Sequence, residues 1–176
     1  MNALVTGGGG FLGLAIVRAL RARGDTVRSL SRQEHAALRE LGVEHVRGDV
    51  ADAAAVSAAA KSCDIVFHVA AKAGLAGPYE EYHRANVVGT KNVLAACRAH
   101  GIRRLVHTSS PSVVFDGRDM EGVDESVPYP AHFEAHYPRT KALAEQLVLR
   151  ANSPTLATRS EEHTSELQSR GLISYA

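Results

Sequence analysis

Residues 6–13 read Thr-Gly-Gly-Gly-Gly-Phe-Leu-Gly, between the apolar run Ala3-Leu4-Val5 and the helical pattern Phe11, Leu12, Ala15, Ile16, Ala19 and Leu20. That order predicts a strand, a glycine loop and a helix. Glycine serves there because the chain turns sharply, a diphosphate can approach the backbone without Cβ interference, and the new helix packs close to the sheet. The N-terminus of the helix, at Phe11 and Leu12, then offers unpaired N–H groups to phosphate. Gly7, Gly10 and Gly13 carry the spacing, with one residue more between the first two glycines than in the common dinucleotide fingerprint. Taken alone, the same loop is equally an ordinary tight turn.

Composition narrows the partners. Twenty Lys and Arg against 19 Asp and Glu leave a formal charge of +1, which points to neither a nucleic-acid polyanion nor an anionic membrane surface. No apolar stretch has spanning length, and four glycines interrupt the N-terminal apolar residues, unlike a secretory signal. A cytoplasmic location is the expectation. Cys63 and Cys97 are far apart, without a C-x-x-C spacing, in apolar segments, so they read as buried thiols. The histidines show no paired ligand spacing, and no metal is expected.

Short apolar runs recur between helical segments at Ala3–Val5, Val27–Leu30, Val43–Val46, Ile65–Val69 and Leu105–Thr108. Gly24, Gly42 and Gly101 follow helical stretches in the manner of left-handed caps. Such a βα series predicts right-handed crossovers and an α/β fold, a doubly wound parallel sheet with helices on both faces. Its ligand would lie at the carboxyl ends of the strands, where the glycine loop already sits.

The last stretch reads differently. Thr155-Leu156-Ala157-Thr158 starts another strand, but from Arg159 the text Arg-Ser-Glu-Glu-His-Thr-Ser-Glu-Leu-Gln-Ser has no period of either kind. It matches, residue for residue from Arg159 to Ser169, the in-frame translation of a common short-read sequencing adapter. The expectation is therefore an incomplete nucleotide-binding domain over 1–158, lacking its final strands and a substrate domain, followed by a non-native tail over 159–176. An amphipathic polar surface helix is the other reading of that tail. An incomplete sheet would expose a strand edge and apolar helix faces.

Several residues carry chemistry. The second run ends in Ser31-Arg32, where folds that prefer NAD place an acid against the ribose 2′-hydroxyl. An arginine pairs instead with a 2′-phosphate, which favours NADP over NAD, although a solvated surface arginine reads the same way. Asp49, in Gly48-Asp49-Val50, either caps the helix near Asp52 or hydrogen-bonds an adenine. Ala70 and Ala71, after His68 and Val69, leave room for a cofactor or simply pack closely. His68 reads as a core or supporting histidine rather than a base. Tyr137 and Lys141, four apart, share a helix face. An ammonium beside a phenol favours the phenolate, so the pair can trade a proton with an alcohol or carbonyl, and a strand-ending hydroxyl such as Ser110 can orient that oxygen. Pro138 is tolerated only in a first helical turn, which places Tyr137 at the very start of its helix.

The loop 6–13, Gly48-Asp49-Val50, His68-Val69-Ala70-Ala71, Asn86-Val87-Val88-Gly89-Thr90, Thr108-Ser109-Ser110 and Tyr137 with Lys141 together resemble the N-terminal part of an extended short-chain dehydrogenase/reductase. This superfamily holds epimerases, dehydratases and 3β-hydroxysteroid dehydrogenases. The resemblance implies Tyr137 as general acid or base, Lys141 as the holder of nicotinamide ribose, and Ser110, with Ser109 and Ser112 as alternatives, as the substrate-orienting hydroxyl. It implies a cofactor site of Gly7, Gly10, Phe11, Leu12, Gly13, Ser31, Arg32, Asp49, Val50, Ala70, Ala71 and Lys141, a structural role for Asn86, and close helix–sheet packing at Gly89. Ala70–Gly74, Tyr82–Asn86 and Ser110–Val113 resemble the 3β-hydroxysteroid dehydrogenase and 2-alkyl-3-oxoalkanoate reductase branch. That branch implies hydride transfer between NAD(P) and a secondary alcohol or ketone on a small hydrophobic substrate; separately, a homodimer is the form expected of the parent protein. A nucleotide-sugar epimerase or dehydratase and an NADP-sensing regulator are the alternatives, the latter usually lacking the Tyr and Lys.

Overall fold

A computed structural model describes residues 1–74, 76–115 and 126–162. Of the tail read as non-native, residues 163–176 lie outside the described residues. The apolar runs form parallel strands: β1 (Asn2–Thr6), β2 (Thr26–Ser31), β3 (Glu44–Arg47), β4 (Ile65–His68) and β5 (Arg104–Thr108), joined by β6 (Ala157–Glu161). Their order is β3-β2-β1-β4-β5-β6, with every ladder parallel. This is the doubly wound arrangement, with its switch point between β1 and β4, where two neighbouring strand ends diverge to helices on opposite faces and leave a crevice.

Alternation along the strands builds two cores. Ala3 and Val5 of β1, with Val27 and Ile65, pack under α1 (Phe11–Ala22) and α2 (Ala36–Glu40). Leu4, Leu30, Val66 and Leu105 face the other way, toward α3 (Ala53–Ala60), α5 (Gly89–Ala99) and α6 (His136–Arg150). Because side chains alternate along a strand, Thr6, His68 and His107 also fall on this second face, at the carboxyl ends of β1, β4 and β5. A short helix, α4 (Tyr79–Tyr82), runs through a π-helical turn at His83–Val88 into α5. Asn86, in the middle of that turn, is 2% exposed.

Gly24, Gly42 and Gly101 take the left-handed conformation that the sequence pattern calls for. The strand begun at Thr155–Thr158 runs on through Arg159, Ser160 and Glu161, paired in register with Val106, His107 and Thr108. The ladder holds these three through main-chain bonds, and through Ser160 Oγ donating to Glu145 Oε1 of α6 at 2.7 Å, which the lack of a side-chain period did not reveal. Among the described residues no helix is long and apolar enough to cross a membrane.

Asp52 rather than Asp49 caps α3: its Oδ1 accepts from the Ala54 and Ala55 N–H groups at 2.9 and 3.2 Å. At the other end the Arg28 guanidinium donates to Ala59 O and Lys61 O, each at 2.8 Å. Replacing Asp52 by Ala is expected to cost about 1 kcal/mol, read as a lower urea midpoint at unchanged slope.

Candidate active site

The loop after β1 closes on itself. The Gly10 N–H donates to Gly7 O at 3.0 Å and the Leu14 N–H to Gly10 O at 2.8 Å, so Phe11 and Leu12 precede the first helical bond. Gly7 has φ +71°, and a Cβ there would lie 3.0 Å from Ala70 Cα; a Cβ at Gly13 would collide with Gly7 O. The loop is therefore pressed against β4 on one side and its own helix on the other. Gly8 is constrained as well, since a Cβ would meet Ser29 Oγ at 2.5 Å. That packing partner sits on β2, beyond the reach of the local spacing.

Above the switch point opens a cleft of about 1220 Å³, lined by Gly7, Gly10, Phe11, Leu12, Gly13, Ser31, Arg32, Asp49, Val50, Ala70 and Ala71. Every cofactor residue read from the sequence except Lys141 thus borders one cavity. Gln33, His35, Arg47, Lys72, Glu81 and Arg84 line it too and were not read from the sequence. Asp49 Oδ1 accepts from the Ala51 N–H at 2.9 Å, and Oδ2 takes an ion pair from Arg84 at 3.1 Å. Lys72 pairs with Glu81 at 2.8 Å. Arg32 and Arg47, at the ends of β2 and β3, have no carboxylate partner among the described residues.

Beneath the cleft runs a directional polar chain. Thr6 Oγ1 accepts from the Val69 and Ala70 N–H groups, both at 3.1 Å, so its own proton goes to His68 Nδ1 at 2.8 Å. His68 must then carry its proton on Nε2, which donates to Thr90 Oγ1 at 3.0 Å, and Thr90 donates to Asn86 O at 2.6 Å. The Asn86 carboxamide clamps the Lys72 backbone, accepting from its N–H at 2.7 Å and donating to its carbonyl at 3.0 Å. Its Nδ2 also donates to Thr140 Oγ1 at 3.0 Å, whose proton is shared between His136 O and Tyr137 O at 2.8 and 3.0 Å. His68, fully bonded as neutral imidazole, is a supporting histidine, as its sequence context indicates. Burial, with the nearby Lys141 charge, pushes its pKa down to about 3.

Tyr137 is the second residue of α6 and Pro138 the third, the placement the proline requires. Tyr137 is half-buried, and its hydroxyl makes no hydrogen bond among the described residues. Lys141, one turn on, is 3% exposed. Its Nζ donates to Thr108 O at the end of β5 and to His107 Nε2 at 3.3 Å, and burial pushes its pKa down to about 8. Ser110 caps the 3₁₀ turn Pro111–Val113, which packs against α6. Its Oγ accepts from the Ser112 N–H at 3.3 Å and lies 2.8 Å from Ser112 Oγ. Ser109 is 7% exposed, its hydroxyl buried. The described residues hold no cluster of His, Cys, Asp or Glu fit for a metal ion. The fold thus gathers the glycine loop, a basic strand end and a Tyr/Lys/Ser set along one row of strand ends.

A doubly wound parallel sheet with a cleft at its switch point defines a Rossmann-like α/β scaffold. The profile of the 3-beta hydroxysteroid dehydrogenase/isomerase family matches residues 4–172, and the chain belongs to that family. A 2-alkyl-3-oxoalkanoate reductase of Stenotrophomonas maltophilia is 53% identical over 90% of this chain and 48% of its own length. A 3 beta-hydroxysteroid dehydrogenase/Delta 5-->4-isomerase of Mycobacterium tuberculosis is 40% identical over 86% of the chain and 43% of its own length. Among solved structures, a short-chain dehydrogenase/reductase superfamily protein from Agrobacterium tumefaciens with bound NAD superposes with TM-score 0.80 at 34% identity, covering 91% of this chain and 48% of that one. The UDP-glucose 4-epimerase of Thermus thermophilus, in complex with NAD, gives 0.79 at 32% identity, covering 91% and 54%. The chain spans about half the length of the curated relatives it matches.

The depressed pKa of His68 has a measurable consequence. Below about pH 6.5 the unfolded chain protonates this histidine while the native state, with a pKa of about 3, does not, so stability falls as pH falls through that window. The loss approaches about 1.4 kcal/mol per pH unit for the one proton. His68→Gln, which keeps a donor toward Thr90, is expected to reduce the slope of unfolding free energy between pH 6 and 5 by up to one proton, measured by urea titrations across that range.

Proposed function

We propose that this chain supplies the cofactor-binding half of an NADP-preferring oxidoreductase that interconverts a secondary alcohol and a ketone on a hydrophobic substrate of the 3-oxoacyl or 3β-hydroxysteroid kind. The observation that carries the reading is that the glycine loop, Arg32, without a carboxylate partner among the described residues, and Lys141 of the α6 turn all lie at the carboxyl ends of one parallel sheet. The named activities of the relatives support the reaction class.

The glycine loop fits a dinucleotide by construction. A Cβ at Gly13 has no room, and the N–H groups of Phe11 and Leu12 precede the first helical bond, so the start of α1 is bare backbone that can face a diphosphate. Ala70 and Ala71 keep the facing wall low, and Asp49 and Val50 border the place for an adenine. Arg32 and Arg47, which have no carboxylate partner among the described residues, border the cleft at the ends of β2 and β3, where their charges suit a ribose 2′-phosphate. Bound nicotinamide supplies or accepts the hydride. The chain's own part is the proton: the Tyr137 hydroxyl gives it to the carbonyl oxygen in reduction and takes it from the alcohol in oxidation. Lys141 lies one turn further along the same helix, and Ser110 Oγ holds the substrate oxygen while its charge changes.

The cofactor reading is tested on this chain by fluorescence titration. NADPH is expected to bind more tightly than NADH, and Arg32→Ala to weaken NADPH by about tenfold while leaving NADH nearly unchanged. Equal loss for both cofactors would remove the 2′-phosphate assignment. In a protein extended to the length of its relatives, Tyr137→Phe is expected to lower kcat for NADPH-dependent reduction of 3-oxo acids or 3-ketosteroids by about 10²- to 10⁴-fold. Turnover of UDP-sugars in their place would favour the epimerase chemistry of the T. thermophilus structure.

A further inference from the structure

We infer that His107 is a positioning residue for Lys141, fixing its ammonium at the end of β5 by accepting one of its N–H bonds. The inference rests on the reading of Lys141 as the cation of the active site. His107 is 1% exposed, next to His68 in the β4–β5 register, with the two rings 5.3 Å apart. Its Nε2 lies 3.3 Å from Lys141 Nζ, which also donates to Thr108 O. An ammonium only donates, so His107 Nε2 must be the bare nitrogen and the ring proton must sit on Nδ1.

That requirement is costly. His107 Nδ1 is buried without a hydrogen-bond partner among the described residues. A buried donor left unsatisfied destabilises the fold, whereas an apolar side chain at this strand position would leave none. His68, beside it, has both ring nitrogens bonded and carries its proton on Nε2. Two touching histidines are thus held in opposite tautomers, and the one with the poorer bonding is the one on the lysine.

The charges around Lys141 show what this bond accomplishes. Glu145 lies one turn further along the same helix, the spacing at which a lysine and a glutamate ordinarily pair. No ion pair joins them; Glu145 instead accepts from Tyr129 Oη at 3.0 Å and from Ser160 Oγ of β6 at 2.7 Å. From the strands the facing titratable groups are His68 and His107, both held neutral by burial, with the Lys141 charge acting in the same direction. His107 and Thr108 O together draw the ammonium to the strand ends, away from Glu145, with two N–H bonds fixed and the third left for a ligand hydroxyl.

The test uses this chain without cofactor. Long-range ¹⁵N–¹H spectra of the ¹⁵N-histidine-labelled protein at neutral pH are expected to show His107 protonated on Nδ1 and His68 on Nε2. The ¹³Cε resonance of Lys141 is then followed against pH. His107→Phe, which removes the acceptor and keeps the bulk, is expected to lower its midpoint by about one pH unit, whereas His107→Gln, whose carbonyl can replace Nε2, restores it. A proton on His107 Nε2, or a midpoint indifferent to His107→Phe, overturns the inference. Should His107→Phe fail to fold, the wild-type tautomer and the His107→Gln midpoint decide it. None of these readings needs turnover, so a chain that fails to bind NADPH yet shows them removes the oxidoreductase reading and leaves the His107–Lys141 bond in place.

Discussion

The hydroxyl of Thr6 is the point on which the rest of the structure depends. At the switch point two parallel strands end side by side and their continuations leave for opposite faces, so the N–H groups of Val69 and Ala70 lose their ladder partners where the crevice opens. Thr6 Oγ1 accepts both. Its own proton then fixes His68, and the chain of donors passes through Thr90 and Asn86 to the Lys72 backbone and to Thr140. Thr140 ends that chain on the carbonyls of His136 and Tyr137. Hydrogen bonds therefore connect the wall of the cleft to the first turn of α6, with directions set from Thr6 through His68 to Thr90 and, separately, from the Asn86 carboxamide to Thr140. Buried groups bonded in this way have one arrangement, since breaking any member strands a donor or acceptor in the core.

This coupling explains why the π-helical turn at His83–Val88 is retained. A regular helix from Tyr79 to Ala99 would present Asn86 at a different angle, and its carboxamide has to meet a backbone on one side and a helix on the other. The irregularity places one side chain across three elements. Electrostatics is arranged on the same plan. Acid groups bordering the cleft are neutralised locally, Asp49 by Arg84 and Glu81 by Lys72, which leaves Arg32 and Arg47 as the uncompensated charges. Two arginines without a carboxylate partner among the described residues thus stand at the β2–β3 end, although the whole chain is nearly neutral.

How much of this was legible in the sequence follows from the range of each interaction. The five apolar runs, the left-handed glycines after helices and the start of α6 just ahead of Pro138 are local, and each appears where the pattern puts it. The sixth strand past Thr158 was not legible, because a ladder pairs backbones and Arg159-Ser160-Glu161 carries no apolar alternation. The capping role open to Asp49 belongs to Asp52, a choice made by the helix geometry of α3. Gly8 was passed over because its constraint is Ser29 on another strand, and Arg47 and Arg84 because only the fold brings β3 and the π turn to the mouth of the same cleft.

Lys141 shows the limit most clearly. Its spacing from Tyr137 is written in the sequence, and so is its helix face. Its hydrogen-bond partners are not: both come from β5, on the strand that precedes the loop carrying Ser110, and neither His107 nor the carbonyl of Thr108 has any motif to mark it. A sequence pattern can state which side chains share a face, but a buried ammonium takes its orientation from the acceptors that the tertiary fold delivers. The strand end that presents Ser110 is the same one that holds the lysine, so register along β5 sets the hydroxyl and the cation together. A slip of one residue would turn His107 to the opposite face of the sheet and would separate both from Tyr137.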